Sequence, residues 1–206
     1  RVPIYLLNTN IKGNKKKYLN LTGQLYKADK EYRLMQEIVL GRGGIKILKS
    51  LGYKNINKFH INEGHGSLAA IELFLKSKAK TIKKRVKEVQ DKCLFTTHTP
   101  IQAGHDVFPL DFFQRLQKDF PFKLPGLVKG KEINMTRIGL YFSHYINGVA
   151  MSHQEVSTKM FPDYPIYSIT NGVHSETWTC DEFKKIYDKY IPNWRNSNLS
   201  LRNVFN

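Results

Sequence analysis

With 206 residues, 41% of them hydrophobic, the chain is long enough for one sizeable domain or two small ones and can bury a core without disulfide staples. Its formal net charge of +16, most of it lysine, would suit phosphate esters or nucleic acid, but arginine is scarce and no basic stretch is interleaved with aromatics, so nucleic-acid binding is disfavoured. Cys93 and Cys180 are far apart and form no C-x-x-C pair, which argues against a zinc or redox pair, and no apolar run approaches the ~18 residues of a membrane span.

In chain order, residue 1 is Arg and residues 2–7 already read as a strand, so the chain is expected to begin inside a domain. Residues 12–30 carry Gly13, Gly23 and a lysine cluster and read as a loop that Asp29 closes. A helix follows over residues 31–50, with Leu34, Ile38, Gly41, Ile45 and Leu48 on one face. Gly41, Gly43 and Gly44 lie inside that periodic pattern and no Gly-Lys-Ser/Thr follows. They are therefore not a phosphate loop, and Gly41 is expected to mark close packing of the helix on a sheet.

Gly52 ends the helix. A strand over 58–61 leads into Asn62-Glu63-Gly64-His65 and an apolar helix through Leu68, Ile71 and Leu75. A second helix turns Ile82, Val86 and Val89 inward and Lys83, Lys84 and Lys87 outward. The strand 93–97 runs straight into His98-Thr99-Pro100, with His105 and Asp106 a few residues on. Phe112, Phe113, Leu116 and Phe120 suggest a short helix, and the prolines and glycines of 121–130 a connector. A helix over 134–145, a strand over 146–151 and a helix opened by the capping box Ser152-His153-Gln154-Glu155 come next. A strand over 165–169 ends in Thr170-Asn171-Gly172. Asp181 is expected to cap the last helix, and the tail from Asn196 is polar and read as frayed.

Strands alternating with helices predict βαβ units and a parallel sheet. Such a sheet puts the loops that begin at Asn8, Asn62, His98, Ser152 and Thr170 along one edge, where open α/β sheets bind ligands. Their amides, hydroxyls and imidazoles suit a neutral polyhydroxy ligand better than a strongly anionic one. His98, His105 and Asp106 match no common metal signature, so no metal is expected. Cys93 lies mid-strand without a base, and no nucleophile elbow occurs. Glu63 and His65 read equally well as an acid–base pair or as a helix-capping acid beside a structural histidine. His60, His144 and His153 fall in or beside apolar patterns and read as structural.

Several stretches carry more than local information. They are Glu31-Tyr32-Arg33-Leu34-Met35-Gln36-Glu37-Ile38-Val39-Leu40-Gly41, Asn62-Glu63-Gly64-His65, and Thr96-Thr97-His98-Thr99-Pro100 with Ala103-Gly104-His105-Asp106. Asn134-Met135-Thr136, Asn147-Gly148-Val149 and Ile169-Thr170-Asn171-Gly172-Val173-His174 with Trp178 follow in the same order. Together they resemble the α-glucan (glycogen, starch or maltodextrin) phosphorylase family, in particular its shorter bacterial and archaeal branch.

The resemblance implies an α/β fold, with a Rossmann-like parallel sheet flanked by helices that forms part of the N-terminal half of a GT-B glycosyltransferase. Residues 1–206 would be a partial N-terminal glucan-binding domain, with the C-terminal cofactor domain absent from this chain. The full-length family uses inorganic phosphate to release the terminal glucose of an α-1,4-glucan as glucose 1-phosphate. It uses pyridoxal 5'-phosphate, whose lysine has no counterpart in this chain. A cytoplasmic enzyme that forms a homodimer when full length is implied, and this chain alone is expected to be inactive. The alternative is a non-catalytic glycan-binding module that kept the sugar loops.

By the same resemblance, His98 contacts the terminal glucose near its 6-hydroxyl, Asn171 hydrogen-bonds that sugar and Val149 walls its pocket. Glu63 and His65 lie toward the glucan acceptor, and Asp29 sits on the loop gating the cleft. The sequence departs from the family where Tyr26-Lys27-Ala28-Asp29 stands for Tyr-Gly-Gly-Asp, and where Asn8 and Asn10 replace acids.

Overall fold

The computed structural model describes residues 2–25 and 29–205, so the gating-loop residues Tyr26, Lys27 and Ala28 lie outside the described part. The chain divides into two compact units, with the break between Ile169 and Thr170.

The first unit is built on a parallel sheet of β1 (Phe59–Asn62), β2 (Cys93–Thr96), β6 (Tyr145–Gly148) and β7 (Tyr167–Ser168), in the order β1-β2-β6-β7. Register pairs Phe59 with Cys93, Phe95 with Ile146, and Asn147 with Tyr167. All four strands point the same way because α3 (Leu68–Lys76) and α4 (Ile82–Lys92) carry the chain from β1 back to the start of β2, while α6 (Met135–Tyr141) and α7 (Met151–Met160) precede and follow β6. This is the expected parallel sheet flanked by helices. Phe95, Ile71, Leu68, Ile138 and Phe142 fill the core, each at most 0% exposed. Gly139 admits the Phe95 ring, since a Cβ there would sit 2.3 Å from Phe95 Cε2.

The first helical stretch consists of α1 (Lys30–Ile38), a π turn (Val39–Gly43) and α2 (Gly44–Ser50), ending where Gly52 takes φ +89°. The glycines thus lie within a helix, as the periodicity requires. Gly41 does mark a close approach, but the partner is a helix and not the sheet. A Cβ there would lie 2.7 Å from Ala69 N and 2.8 Å from Leu68 Cβ, at the start of α3. The π turn also aims Arg42 at buried Glu72 on α3, 2.8 Å away, while its other nitrogens reach Gln117 and Asp119. A π turn inserts one residue into the ladder, which is how a helix re-aims a side chain.

Other expectations are corrected. Residues 2–7 form no strand: Val2, Ile4 and Leu6 are 84–89% exposed, and Tyr5 packs edge-on against Tyr53 with their hydroxyls hydrogen-bonded. A strand needs a neighbouring backbone to complete its hydrogen bonds, and the described residues supply none here. Asn8 therefore follows no sheet strand; its side chain accepts from Asn10 N in a local turn. The capping box fails because β6 ends at Gly148 and α7 begins at Met151, which leaves Ser152 inside the first turn. Ile82 is exposed at the first position of α4. The helix predicted over 134–145 stops at Tyr141, capped at its start by Asn134, because residue 145 already belongs to β6.

A small antiparallel sheet went unpredicted: β3 (Val107–Pro109), β4 (Val128–Lys129) and β5 (Glu132–Asn134), ordered β3-β5-β4, with Gly130 at φ +61° in the hairpin. Its strands are too short to show a period of two. The aromatic helix is α5 (Leu110–Leu116).

The second unit holds α8 (Ser175–Trp178), α9 (Asp181–Tyr190) and 3-10 turns at Asn198–Phe205 where a frayed tail was expected. Cys180, not Asp181, is the N-cap of α9; Asp181 is its first residue and bonds Lys184 at 3.1 Å. Trp194 packs edge-on against Tyr187 and donates to Asp188, which also binds Arg195. That guanidinium holds the Asp188 carboxyl down at about 2.

Candidate functional site

A polar ladder crosses three strands just below the carboxyl edge of the parallel sheet. His60 Nε2 lies 2.7 Å from Thr96 Oγ1, and Thr96 donates in turn to Asn147 Oδ1 at 2.9 Å. Because the threonine hydroxyl spends its proton on Asn147, His60 must be the donor to Thr96. Asn147 completes the run by donating to Gly148 O. His60 is thus satisfied structurally, as is His144, which sits 2.8 Å from Gln90 O. His153 packs against Gly148, where a Cβ would meet its Nδ1 at 2.4 Å.

Above this ladder Glu63 leaves β1 with φ +70° and ψ 168°, a conformation that L residues rarely adopt. Such strain costs roughly 1–3 kcal/mol and needs compensation. The buried carboxylate supplies it. Oε1 accepts from Gly64 N at 2.9 Å, while Oε2 accepts from His98 N at 2.7 Å and Thr99 Oγ1 at 2.9 Å. Of the two readings left open for Glu63, the capping one describes its bonds: it caps the short 3-10 turn Gly64–Gly66 and clamps the loop after β2. Glu63→Ala is expected to lower stability by ~2–3 kcal/mol, the cost of orphaning buried donors to a charged acceptor. Broadened His98 and Thr99 amide signals would accompany the loss; sharp, unshifted ones would contradict the clamp.

His98 itself is exposed, with Nε2 2.6 Å from Asn62 Oδ1. An amide oxygen only accepts, so His98 donates through Nε2 and keeps Nδ1 as the nitrogen open to a ligand. His65, from the turn after Glu63, receives Arg33 NH2 on its Nδ1 at 3.1 Å. Burial and the Arg33 charge both lower the affinity of His65 for a second proton. The same guanidinium grips Asp106 at 2.9 and 3.3 Å. His105 is buried, bonded to Thr136 at 2.9 Å and set edge-on against Phe161, and burial lowers its pKa too.

These groups surround one cavity of about 870 Å³, lined among others by Asn62, His65, His98, Gln102, His105 and Thr136, with Phe108 as an apolar wall. His98, Glu63 and His65 thus line the same cavity. Asp29 caps α1 by accepting from Tyr32 N at 2.7 Å, and its neighbour Lys30, not Asp29, lines the cavity. Val149 is half-buried directly after β6 and does not line the cavity. Asn171 is exposed and belongs to the second unit. Sequence reasoning missed Arg33 and Glu37, because both look like ordinary members of an amphipathic helix. No cluster of three or more metal-binding side chains occurs among the described residues, and His98, His105 and Asp106 each have protein partners. No described helix is long and apolar enough to cross a membrane. Cys93 is buried, which pushes its thiol up to about 12 and makes it a poor nucleophile.

A parallel sheet flanked by helices, with a polar cavity beyond its carboxyl ends, defines a Rossmann-like α/β protein with its cavity where open α/β sheets bind ligands. The chain is 34% identical to maltodextrin phosphorylase of Thermococcus litoralis over 95% of its own length and 26% of that protein's. It is 35% identical to glycogen phosphorylase of Aquifex aeolicus (93% of this chain, 30% of that protein) and 34% identical to that of Mycobacterium tuberculosis (90% and 25%). It therefore belongs to the α-glucan phosphorylase family, and it spans about a quarter to 30% of the length of these relatives. No protein-family model matches the chain.

Proposed function

We propose that this chain supplies part of the glucan side of an α-glucan phosphorylase, within the N-terminal half of a GT-B architecture. The observation that carries the reading is the similarity to named phosphorylases over nearly the whole chain, coinciding with a polar cavity whose lining includes Asn62, His98, Thr99 and Gln102. The reaction of the whole enzyme would be phosphorolysis of a terminal α-1,4-linked glucose to glucose 1-phosphate. Pyridoxal 5'-phosphate would supply the acid–base chemistry at the phosphate; its lysine and the phosphate-binding residues are assigned to the part of the relatives' length not matched here.

In this reading His98 is the residue nearest the chemistry. Its Nδ1, which bonds no described residue, is placed to accept a hydrogen bond from a sugar hydroxyl, while Asn62 fixes the ring. By the resemblance, Asn171 and Val149 serve the terminal glucose, His65 the glucan acceptor, and Asp29 the gating loop. Glu63 acts through His98 and Thr99, since its oxygens are already engaged.

In an intact phosphorylase containing this segment, His98→Ala should lower kcat/KM by ~2–4 kcal/mol equivalent, the usual loss of one oriented contact to the transition state. Unchanged turnover at limiting and saturating glucan would defeat the assignment. The 206-residue chain alone should bind maltooligosaccharides in calorimetry yet form no glucose 1-phosphate. Binding by a natural product that ends where this chain ends would favour the glycan-binding module instead.

A further inference from the structure

We propose that Glu37 is a positioning residue for the cavity: it remains a neutral acid, donates its proton to the Asp106 carboxylate, and so lets the Arg33 guanidinium hold His65 as an Nε2–H donor. Arg33 stands between two carboxyl groups, 3.3 Å from Glu37 Oε1 and 2.9 Å from Asp106 Oδ2. Glu37 is only 1% exposed, whereas the Asp106 side chain keeps 29% of its surface in water. One guanidinium neutralises one carboxylate. A second negative charge in this place would be buried beside the first, without water and without a second cation among the described groups facing it.

The hydrogen bonds make the same point. Neither Glu37 oxygen has a donor aligned on it, although both are buried. An ionised Glu37 would thus have only the poorly aligned Arg33 Nε to accept from, a costly state in a protein interior. A protonated Glu37 is a donor, and the carboxylate beside it is Asp106. Burial, then the Asp106 charge, then the hydrogen bond between the two acids all raise the Glu37 pKa, against the opposing pull of Arg33, to about 9. The proton therefore stays on the buried acid, Glu37.

The consequence reaches His65 through geometry. Arginine can only donate, so the 3.1 Å contact of Arg33 NH2 with His65 Nδ1 requires that nitrogen to be unprotonated. The imidazole then carries its proton on Nε2, which bonds no described residue and remains for a ligand. Glu63, Asp106 and His98 are the other charged or titratable groups facing His65. Arg33 can satisfy both Asp106 and His65 because Glu37 does not compete for it as a second anion. The assembly ties α1 to the loop ahead of β3, two parts of the chain 69 residues apart (Glu37 to Asp106) that wall the same cavity. That the ligand meeting His65 is a sugar rests on the reading above; the proton on Glu37 does not.

Carbon-13 NMR of the wild-type chain labelled at the glutamate carboxyl carbons tests this directly. One carboxyl signal should keep its protonated shift at pH 7, move only near pH 9, and vanish in Glu37→Gln. Nitrogen-15 spectra should show His65 protonated at Nε2 in the wild type and in Glu37→Gln, whose amide still donates to Asp106, but a mixture of tautomers in Glu37→Ala. If every glutamate of the folded wild type titrates in the ordinary carboxylate range, the proposal is wrong, whether or not any variant folds. Should the carboxyl signal behave as expected while maltooligosaccharides fail to bind, the sugar reading falls and the proton on Glu37 stands.

Discussion

Arg42→Ala is expected to destabilise the first unit by ~3–5 kcal/mol in urea unfolding, one of the largest single-residue effects in the chain. The reason lies with the partner. Glu72 is 1% exposed on α3 and takes its principal hydrogen bond from Arg42 Nε at 2.8 Å. Lys76 also approaches it, but at 3.9 Å and from a side chain that is 63% exposed. Removing the guanidinium leaves a buried carboxylate almost uncompensated, and strips Gln117 and Asp119 of the same donor. Asp119 is half-exposed and can turn to water, so its share of the loss is small. Arg42→Lys should recover only part of the stability, since an ammonium cannot reach both carboxyl groups with the planar fork. Arg42→Met combined with Glu72→Leu should recover most of it, because burying neither charge avoids the desolvation cost. A single alanine variant within 1 kcal/mol of wild type would show that Glu72 finds another partner or a proton.

The second large effect has the opposite sign. Glu37→Gln should stabilise the chain at neutral pH. The Glu37 carboxyl has its folded pKa raised from 4.5 to about 9, so the folded chain keeps a proton that the unfolded chain releases. Stability from this group is therefore complete below about 4.5 and falls as pH rises toward 9. The slope approaches ~1.4 kcal/mol per pH unit, which amounts to an order of ~3 kcal/mol by pH 7. Glutamine has no proton to lose and still offers an N–H to Asp106. The difference in unfolding free energy between variant and wild type should accordingly widen from pH 5 to pH 8. Parallel curves for the two proteins would mean that Glu37 ionises normally in the fold.

Much of the architecture was legible because it rests on long-range regularities. The 3.6-residue spacing of Leu34, Ile38 and Gly41 survives a π turn, since a π turn shifts the face without ending the helix. The apolar runs before Asn62 and His98 end where polar residues begin, and that is where the strands end. What failed was local. A capping box was read at Ser152, but the strand before it stopped earlier and the helix started sooner. Residues 2–7 have strand composition, yet a strand is a property of two backbones and no described neighbour pairs with them. The strands of the small antiparallel sheet are two or three residues long and leave no periodic trace.

At the site, His98, His65 and Glu63 were visible as polar residues just past strand ends, where such sheets bind ligands. Their division of labour was not, because it depends on contacts between residues 35 positions apart, such as Glu63 Oε2 with His98 N. Arg33 and Glu37 were hidden for a related reason. An i,i+4 pair of opposite charge on a helix ordinarily faces water, and only the fold shows that this one faces inward.

The order of the strands also bears on how the chain reaches this state. Parallel neighbours cannot be joined by a tight turn, so β1 meets β2 across 34 residues (Phe59 to Cys93) and β2 meets β6 across 51 (Thr96 to Asn147). Loop closure over such distances precedes any reward from pairing, which makes sheets of this kind slow to assemble. The nearer crossover, with α3 and α4 packed beside it, is the natural nucleus. The cavity wall contributed by residues 98–106 can settle as soon as Glu63 meets His98 N, before β6 arrives. Mutations at Glu63 should therefore slow refolding, whereas those at Asn147 should mainly hasten unfolding.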